Sequence, residues 1–419
     1  MGAGLDRDSG NGDRRTRRSP AAGSDGTSVS SLSALPVLPG LHIDGHYLAS
    51  ESPRSAGDAW FDVMALADGR AVMFVGDTAA GDIDAVKAAE DAKVDGLARR
   101  GSETPSASGR LRMSLARLFA DDDLVAVLDR VDQEFDGGEL ASPSTVCVAV
   151  IDPLDGQVDY STYGHPPPLV VAPDNTRYLP TARGSLGRSL ALPSKTARLA
   201  PGEVLVLHSK GLGTESGQAV AAGLAEAIRN TDAAGSPTSA SRYDTVGTDS
   251  VCRTTTAELR RCGSYGALAV LAVQHRPEAS RLALTVPAVH KSLEAVDRTV
   301  GDWLSGLRSS VEDGVGVALA VGEAVTNAIQ HAFVGQRVGS VRVEAELQKD
   351  GILAFSVHDD GCWLPPESSR TGRSGRGLSM IARLCDRMVV HRETTGTVIE
   401  LRRRLHHPVV RSSAAAPRK

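Results

Sequence analysis

The tightest constraint on this chain is a run of small and apolar residues from Val315 to Phe333 that carries a carboxylate and a carboxamide at helical spacing. Glu323 and Asn327 are four residues apart, so on a helix they share one face, with His331 a turn further on. Burying both groups on a mostly apolar helix is costly unless something satisfies them. Taken alone, the stripe fits a polar face turned to solvent equally well. Magnesium offers another answer, because it takes oxygen ligands, keeps several waters and is held through few protein groups plus phosphates. Asn327 can supply a carbonyl oxygen, and Glu323 can accept a proton from an attacking hydroxyl or water.

Two more motifs follow in order. Val357-His358-Asp359-Asp360-Gly361 ends a predicted strand in an acidic turn, where a carboxylate can accept a hydrogen bond from an exocyclic amine such as that of adenine. Gly361 lets the backbone approach a ring closely. Gly372-Arg373-Ser374-Gly375-Arg376-Gly377-Leu378 then opens a helix, and glycines before a helix N-terminus leave free N–H groups at a positive dipole end, a phosphate cradle. Around these motifs the pattern predicts a unit over 281–404. It comprises a strand at 282–286, helices to about Leu307 and from about Val315 to Phe333, and strands at 341–347 and 353–358. A helix near 378–386 and a final strand pair ending at Leu401 complete it, and 405–419 reads as tail.

Before it, residues 1–38 lack hydrophobic periodicity and read as a disordered tail, with Arg14-Arg15-Thr16-Arg17-Arg18 as a solvated basic cluster. Over 41–275 the pattern is strand-rich at both ends. Apolar runs flank an Asp68-Gly69 turn, and Thr145–Ile151 and Gln157–Tyr163 form a second hairpin. Helical stretches at about 83–100 and 111–135 follow the first hairpin. Apolar runs at 203–208 and 267–274 suit buried strands, with a Gly/Ser/Thr-rich loop near 233–250 between them. The order predicts an α/β (α+β) protein of two sandwich domains.

A chain of 419 residues suits two domains. A net charge of -5 argues against non-specific nucleic-acid binding, which needs a basic surface. Five cysteines without a Cys-x-x-Cys pair read as reduced thiols, and no apolar run nears the ~20 residues that span a bilayer. These point to a cytoplasmic protein with neither nucleic acid nor membrane as a direct partner.

The motifs of the C-terminal unit resemble the GHKL ATPase fold of gyrase, a heat-shock chaperone family, histidine kinases and the bacterial anti-sigma serine kinases. The resemblance rests on Glu323-x-x-x-Asn327, Asp359-x-Gly361, Gly375-x-Gly377 and Gly396-Thr397, and spans essentially all of 281–401. It implies that Asn327 binds magnesium, Asp359 holds adenine with Gly361 beside it, Gly375 and Gly377 line the phosphates of ATP, and Thr397 supports the adenine pocket. His290 lacks the context of a histidine-kinase phosphoacceptor, whereas Glu-Ala-Val-Thr-Asn-Ala and Gly-Arg-Gly-Leu-Ser-Met-Ile are most similar to the anti-sigma serine kinases. Those bind a sigma factor and phosphorylate a small STAS-type anti-anti-sigma protein, and a homodimer is consistent with the resemblance.

Residues 41–275 resemble the SpoIIE-type branch of the PPM serine/threonine phosphatases, through Gly57-Asp58-Ala59-Trp60-Phe61-Asp62, Val75-Gly76-Asp77 and Tyr163-Gly164-His165-Pro166-Pro167-Pro168. The resemblance implies manganese or magnesium at Asp58 and Asp77. Two further acidic ligands of the family are replaced, one by Lys210 and one by Ser264-Tyr265, and its Gly-His-Gly reads Ala80-Gly81-Asp82. At ~4 Å an ammonium repels a dication by about 8 kcal/mol at an effective dielectric of 20. The expected outcome is a pseudophosphatase with Lys210 paired to Asp77 or Asp58, against the alternative that Asp82 or Asp249 supplies a substitute ligand. Three functions remain open: a partner-switching kinase with Glu323 as base, a working phosphatase on the same kind of partner, and a non-catalytic ATP-binding protein that sequesters a sigma factor.

Overall fold

The computed structural model describes residues 34–50, 59–77, parts of 114–130, 145–172, 175–181, 194–209, 219–226, 247–263, 266–276, 280–333, 339–361, 376–393 and 396–412. The chain opens with β1 (Leu35–Pro36), β2 (Leu41–Leu48), β3 (Ala59–Ala65), β4 (Ala71–Asp77), β5 (Thr145–Ile151) and β6 (Gln157–Tyr163). It continues with β7 (Leu169–Val171), β8 (Thr176–Tyr178), β9 (Lys195–Arg198), β10 (Val204–His208), α1 (Thr248–Arg261) and β11 (Leu268–His275). Both predicted hairpins form. Asp68 accepts the Arg70 N–H at 2.9 Å where Gly69 takes φ 97°, and Gly156 takes φ 73° in the second turn.

Two sheets result, ordered β3-β4-β5-β6-β9 and, for the strands so far, β2-β11-β10-β7-β8. Phe61, Met73, Ala149 and Tyr160 of the first interlock with Ile43, Leu205 and Leu271 of the second. The opposite faces are buried as well. Val72, Phe74 and Val148 meet Leu115, Phe119 and Val127 from helical residues within 114–130, while Val206 and Val270 meet Leu224, Val251 and Leu259. A helix–sheet–sheet–helix sandwich buries both sides of its central strands, which is why β11 reads as an unbroken apolar run instead of alternating. α1 begins at Thr248, inside the stretch near 233–250 expected to be loop. The helix expected at 83–100 lies outside the described residues.

The second domain contains β12 (Arg281–Pro287), α2 (Ser292–Gly306), α3 (Val311–His331), β13 (Ser340–Leu347), β14 (Ile352–Asp359), α4 (Arg376–Leu384), β15 (Arg387–Glu393) and β16 (Gly396–Arg404). Its antiparallel sheet runs β12-β13-β14-β16-β15. Here β13 and β14 alternate in burial, so one face packs under the helices and the other stays polar. Val296, Val317, Val321 and Val325 of α2 and α3 fill the space above Val343, Phe355 and Leu401. α3 starts four residues before the predicted Val315, because the Ser310 hydroxyl caps it by accepting the Asp313 N–H at 3.1 Å. Among the described residues no helix is long and apolar enough to cross a membrane.

Two expectations about the ends need correction. Leu35–Pro36, inside the expected tail 1–38, form β1, and residues 405–412, inside the expected tail 405–419, form β17 (His406–His407) and β18 (Val409–Ser412). β1 pairs with β17, and β18 adds a parallel edge strand to β2. Val37 lies in the core of the second domain, while Val409 packs against the inter-sheet core of the first. Short strands that pair with partners hundreds of residues away leave no local periodicity, so composition alone reads them as tail.

His42 on β2 and His407 on β17 meet at this junction. Burial, then the positive charges of Arg276 and Arg308, hold His42 at about 4. Burial likewise holds His407 at about 4, although its Nδ1–H donates to the Arg308 carbonyl at 3.0 Å. A histidine depressed in the folded state contributes full stability above its unfolded value of about 6.5, and that contribution is lost as pH falls towards 4. His407 alone then costs about 3 kcal/mol at pH 4 relative to neutral pH. His407→Asn, which keeps a donor for the Arg308 carbonyl, should flatten the acid limb of the thermal stability profile between pH 6.5 and 4. An unchanged acid limb would show that His407 takes up its proton without unfolding.

Candidate functional site

One guanidinium sets the spacing of the two helices that frame the site. Arg403, on β16, donates to Asp313 Oδ1 through Nε at 3.1 Å and Nη2 at 2.7 Å, in the first turn of α3. Its Nη1 donates to the carbonyl of Leu384, the last residue of α4, at 2.5 Å. The His406 N–H adds a bond to Asp313 Oδ2 at 2.9 Å. Burial pushes the Asp313 carboxyl up, but the bonds from Arg403, His406 and Ser310 outweigh it and hold it below the ordinary value. Gly316 makes room for the clamp, since a Cβ there would stand 2.5 Å from Arg403 Nη1.

At the other end of these helices, Gly377 in the first turn of α4 lies against α3. A Cβ at Gly377 would collide with the Glu323 carboxylate and stand 3.2 Å from Asn327 Nδ2. Glu323 and Asn327 are half-buried on one face of α3, and the buried Asn327 Nδ2 makes no hydrogen bond. An amide left without a partner beside a carboxylate and a helix N-terminus is the arrangement an oxyanion with its counter-ion would complete. The donor set and the space cleared by Gly377 therefore fit a magnesium nucleotide.

Across the sheet, Asp359 ends β14 opposite Thr397 on β16. Its Oδ1 accepts the Gly361 N–H at 3.1 Å and the Thr397 N–H at 3.2 Å. Burial pushes this carboxyl above its ordinary value, against the pull of those two bonds. Gly361 is required sterically, because a Cβ would stand 2.6 Å from Ala332 Cβ just past α3. Gly396, at φ 147°, brings β16 against the Asp359 carbonyl with no room for a side chain. Thr397 is buried. Glu323, Asn327 and Gly377 thus form one cluster, and Asp359, Gly361 and Thr397 another at the α3–β14 end. Gly375 lies outside the described residues.

In the first domain, Asp77 ends β4 with its side chain 22% exposed, and the buried His165 places Nε2 3.6 Å from Asp77 Oδ2. The His165 Nδ1–H donates to the Pro166 carbonyl at 3.2 Å. Asp249, weighed as a substitute ligand, pairs with Arg253 at 2.8 Å on α1. Asp58, Asp82, Lys210, Ser264 and Tyr265 lie outside the described residues. Among the described residues no three His, Cys, Asp or Glu side chains gather as a metal-binding group.

Comparison with known proteins places both domains. The model of the histidine kinase-like ATPase domain matches residues 286–403, and that of stage II sporulation protein E (SpoIIE) matches 101–264. The anti-sigma F factor of Clostridium novyi is 31% identical over 118 residues, which are 25% of this chain and 81% of that protein. Through its C-terminal domain, the chain belongs to the anti-sigma F factor family. The anti-sigma F factor of Halalkalibacterium halodurans is 29% identical over 118 residues, covering 26% of this chain and 80% of its own length. The fusion itself has a solved counterpart in the RsbU and RsbW domains of a Mycobacterium tuberculosis protein. That crystal structure is 26% identical with TM-score 0.72, over 91% of this chain and 99% of the other. A SpoIIE-type domain followed by an anti-sigma-type ATPase domain is therefore the architecture of this chain.

Sequence reading missed the Arg403–Asp313 clamp and the approach of His165 to Asp77. The first had one local signal, Asp313 three residues after a capping serine; its partner, ninety residues on, had none. Arg403→Met should lower the free energy of unfolding by about 3 kcal/mol, because it leaves the Asp313 carboxylate buried without its guanidinium. Urea unfolding of Arg403→Met, Asp313→Asn and the double variant checks this. The two single losses should not add, and full additivity would show that the pair is not coupled.

Proposed function

We propose that this chain is a partner-switching regulator whose anti-sigma-type domain binds Mg-ATP and phosphorylates a serine or threonine of a small STAS-type anti-anti-sigma protein, releasing or holding a sigma factor accordingly. The observation that carries the reading is the seating of Gly377 directly on Glu323 and Asn327. It unites a helix N-terminus, an amide and a carboxylate at one point, with the Asp359–Thr397 pair just past the C-terminus of α3, where Gly361 packs on Ala332. When bound, magnesium would neutralise phosphate charge and orient the terminal phosphoryl group.

Each residue then has a distinct task. Asn327 offers its side-chain oxygen to the metal, and Gly377, with Gly375, presents backbone N–H groups to the phosphates. Asp359, one oxygen fixed by two N–H groups, accepts from the adenine amine with the other, and Gly361 and Thr397 keep that carboxylate in place. Glu323 takes the proton of the acceptor hydroxyl. Such transfers depend on positioning and charge neutralisation, so the rate is expected to track Glu323 more than binding does. Phosphorylation of a purified STAS-type partner, followed with labelled ATP, should fall about 10²- to 10⁴-fold in Glu323→Ala with ATP affinity nearly kept. Transfer at the wild-type rate by Glu323→Ala would remove it as base. Binding of ATP without transfer in the wild type would favour the sequestering reading.

The SpoIIE-type domain, spanning about 41–275, serves on this reading as a docking or sensing module. Its support is chemical: catalytic metals of this class need several carboxylates, and Lys210 and Ser264-Tyr265 stand where two are expected. Release of phosphate from a phosphoserine peptide with manganese or magnesium should not exceed that of Asp77→Ala. Release that Asp77→Ala abolishes would make the chain a switch with two opposing activities.

A further inference from the structure

The outer face of α3 carries an apolar ridge that none of the described residues covers. Val311, Val315 and Leu319 are 84%, 53% and 51% exposed, and their spacing of four sets them in one row. They are half of the six large hydrophobic side chains exposed among the described residues, so the row is not ordinary scatter. The row continues to Gly322, where a Cβ would stand 3.5 Å from Asp297 Oδ1 of α2. One turn beyond Leu319 lies Glu323.

The surroundings of the ridge are acidic. From Ser292 to His331 the chain has six carboxylates (Glu294, Asp297, Asp302, Glu312, Asp313, Glu323) against two arginines, and because Arg403 of β16 answers the buried Asp313, the helix pair keeps a net -3. Both arginines have acidic neighbours: Arg298 pairs with Glu294 at 2.7 Å, and Arg308 faces Asp44 of the first domain at 3.9 Å. Asp297, Asp302 and Glu312 stand exposed. A second copy docked face to face would set -3 against -3, which charge repulsion opposes. An amphipathic helix with basic flanks satisfies both the ridge and its rim.

We propose that the α3 ridge is a docking surface for a basic amphipathic helix of a protein partner. This rests on the partner-switching reading for the existence of such a partner, and adds the chemistry of its contact face. Docking there brings the partner within one helical turn of Glu323, which makes the nucleotide site and the partner site neighbours on a single helix.

The test uses the full chain and a labelled helical peptide of about 18 residues with leucines every fourth position and lysine flanks, beside a counterpart with glutamate flanks. Fluorescence anisotropy should show the lysine peptide binding the wild type at least tenfold more tightly than the glutamate peptide. Val315→Ser with Leu319→Ser should weaken it at least tenfold, and Asp297→Lys with Glu312→Lys should reverse the preference. Binding of a fluorescent ATP analogue should be unchanged in all three proteins. Equal peptide binding by the serine variant would overturn the proposal, as would no binding to the wild type. So would light scattering that shows a dimer lost in the serine variant, which would assign the ridge to a second copy. Failure of the wild type to bind the ATP analogue would instead sink the nucleotide reading, independently of the peptide result.

Discussion

The Arg403–Asp313 pair is the contact on which the candidate site depends. A planar guanidinium with fixed donors can bind a carboxylate and a carbonyl at once, and here those belong to the start of α3 and the end of α4. Because the two helices are tied at one end, their opposite ends meet at a defined separation, and there Gly377 touches Glu323 and Asn327. Lysine could not replace this arginine, since it offers a single ammonium on a flexible stem. The geometry at Gly377 is thus set by an ion pair that lies outside the candidate site.

Much of the fold was legible because each domain obeys a simple pattern. The β5–β6 hairpin has the limits that its flanking turn residues indicate, and the alternation in β13 and β14 reveals a sheet with one dry face. Glu323, Asn327, Asp359 and Gly377 stand out in the sequence as polar or side-chain-free positions in apolar contexts, and the fold brings Glu323, Asn327 and Gly377 together. What stayed hidden depends on distance along the chain. Arg403 reads as one of three consecutive basic residues on a strand, and only the fold shows that it alone turns inward to Asp313 while its neighbours stay outside. His165 reads as part of a stiff Pro-rich turn until β4 brings Asp77 beside it.

The two domains carry their polarity in opposite ways. The first buries both faces of the central strands of its sheets, and Asp77 and His208-Ser209 lie at strand ends. The second leaves a sheet face and a helix face open, and spends its charge there: paired on the sheet through Arg281–Glu346 and His391–Glu400, acidic on the helices. The acidic helix layer of the second domain thus lies beside the candidate site, whereas the first domain offers strand ends and loops.

The exchange of terminal strands changes what it means to separate the halves. The Val37 N–H donates to the Leu405 carbonyl, β1 lies along β17, and β18 completes the edge of β2, so each domain holds a piece of backbone from the far side of the other. The connection at 276–281 is therefore only one of several ties. A protease that cut it would nick the backbone without releasing two bodies, because the crossed strands would keep them joined, like a clasp whose cord has been severed. By the same token, a gene fragment started at the linker would produce an ATPase domain with a gap where Val37 belongs.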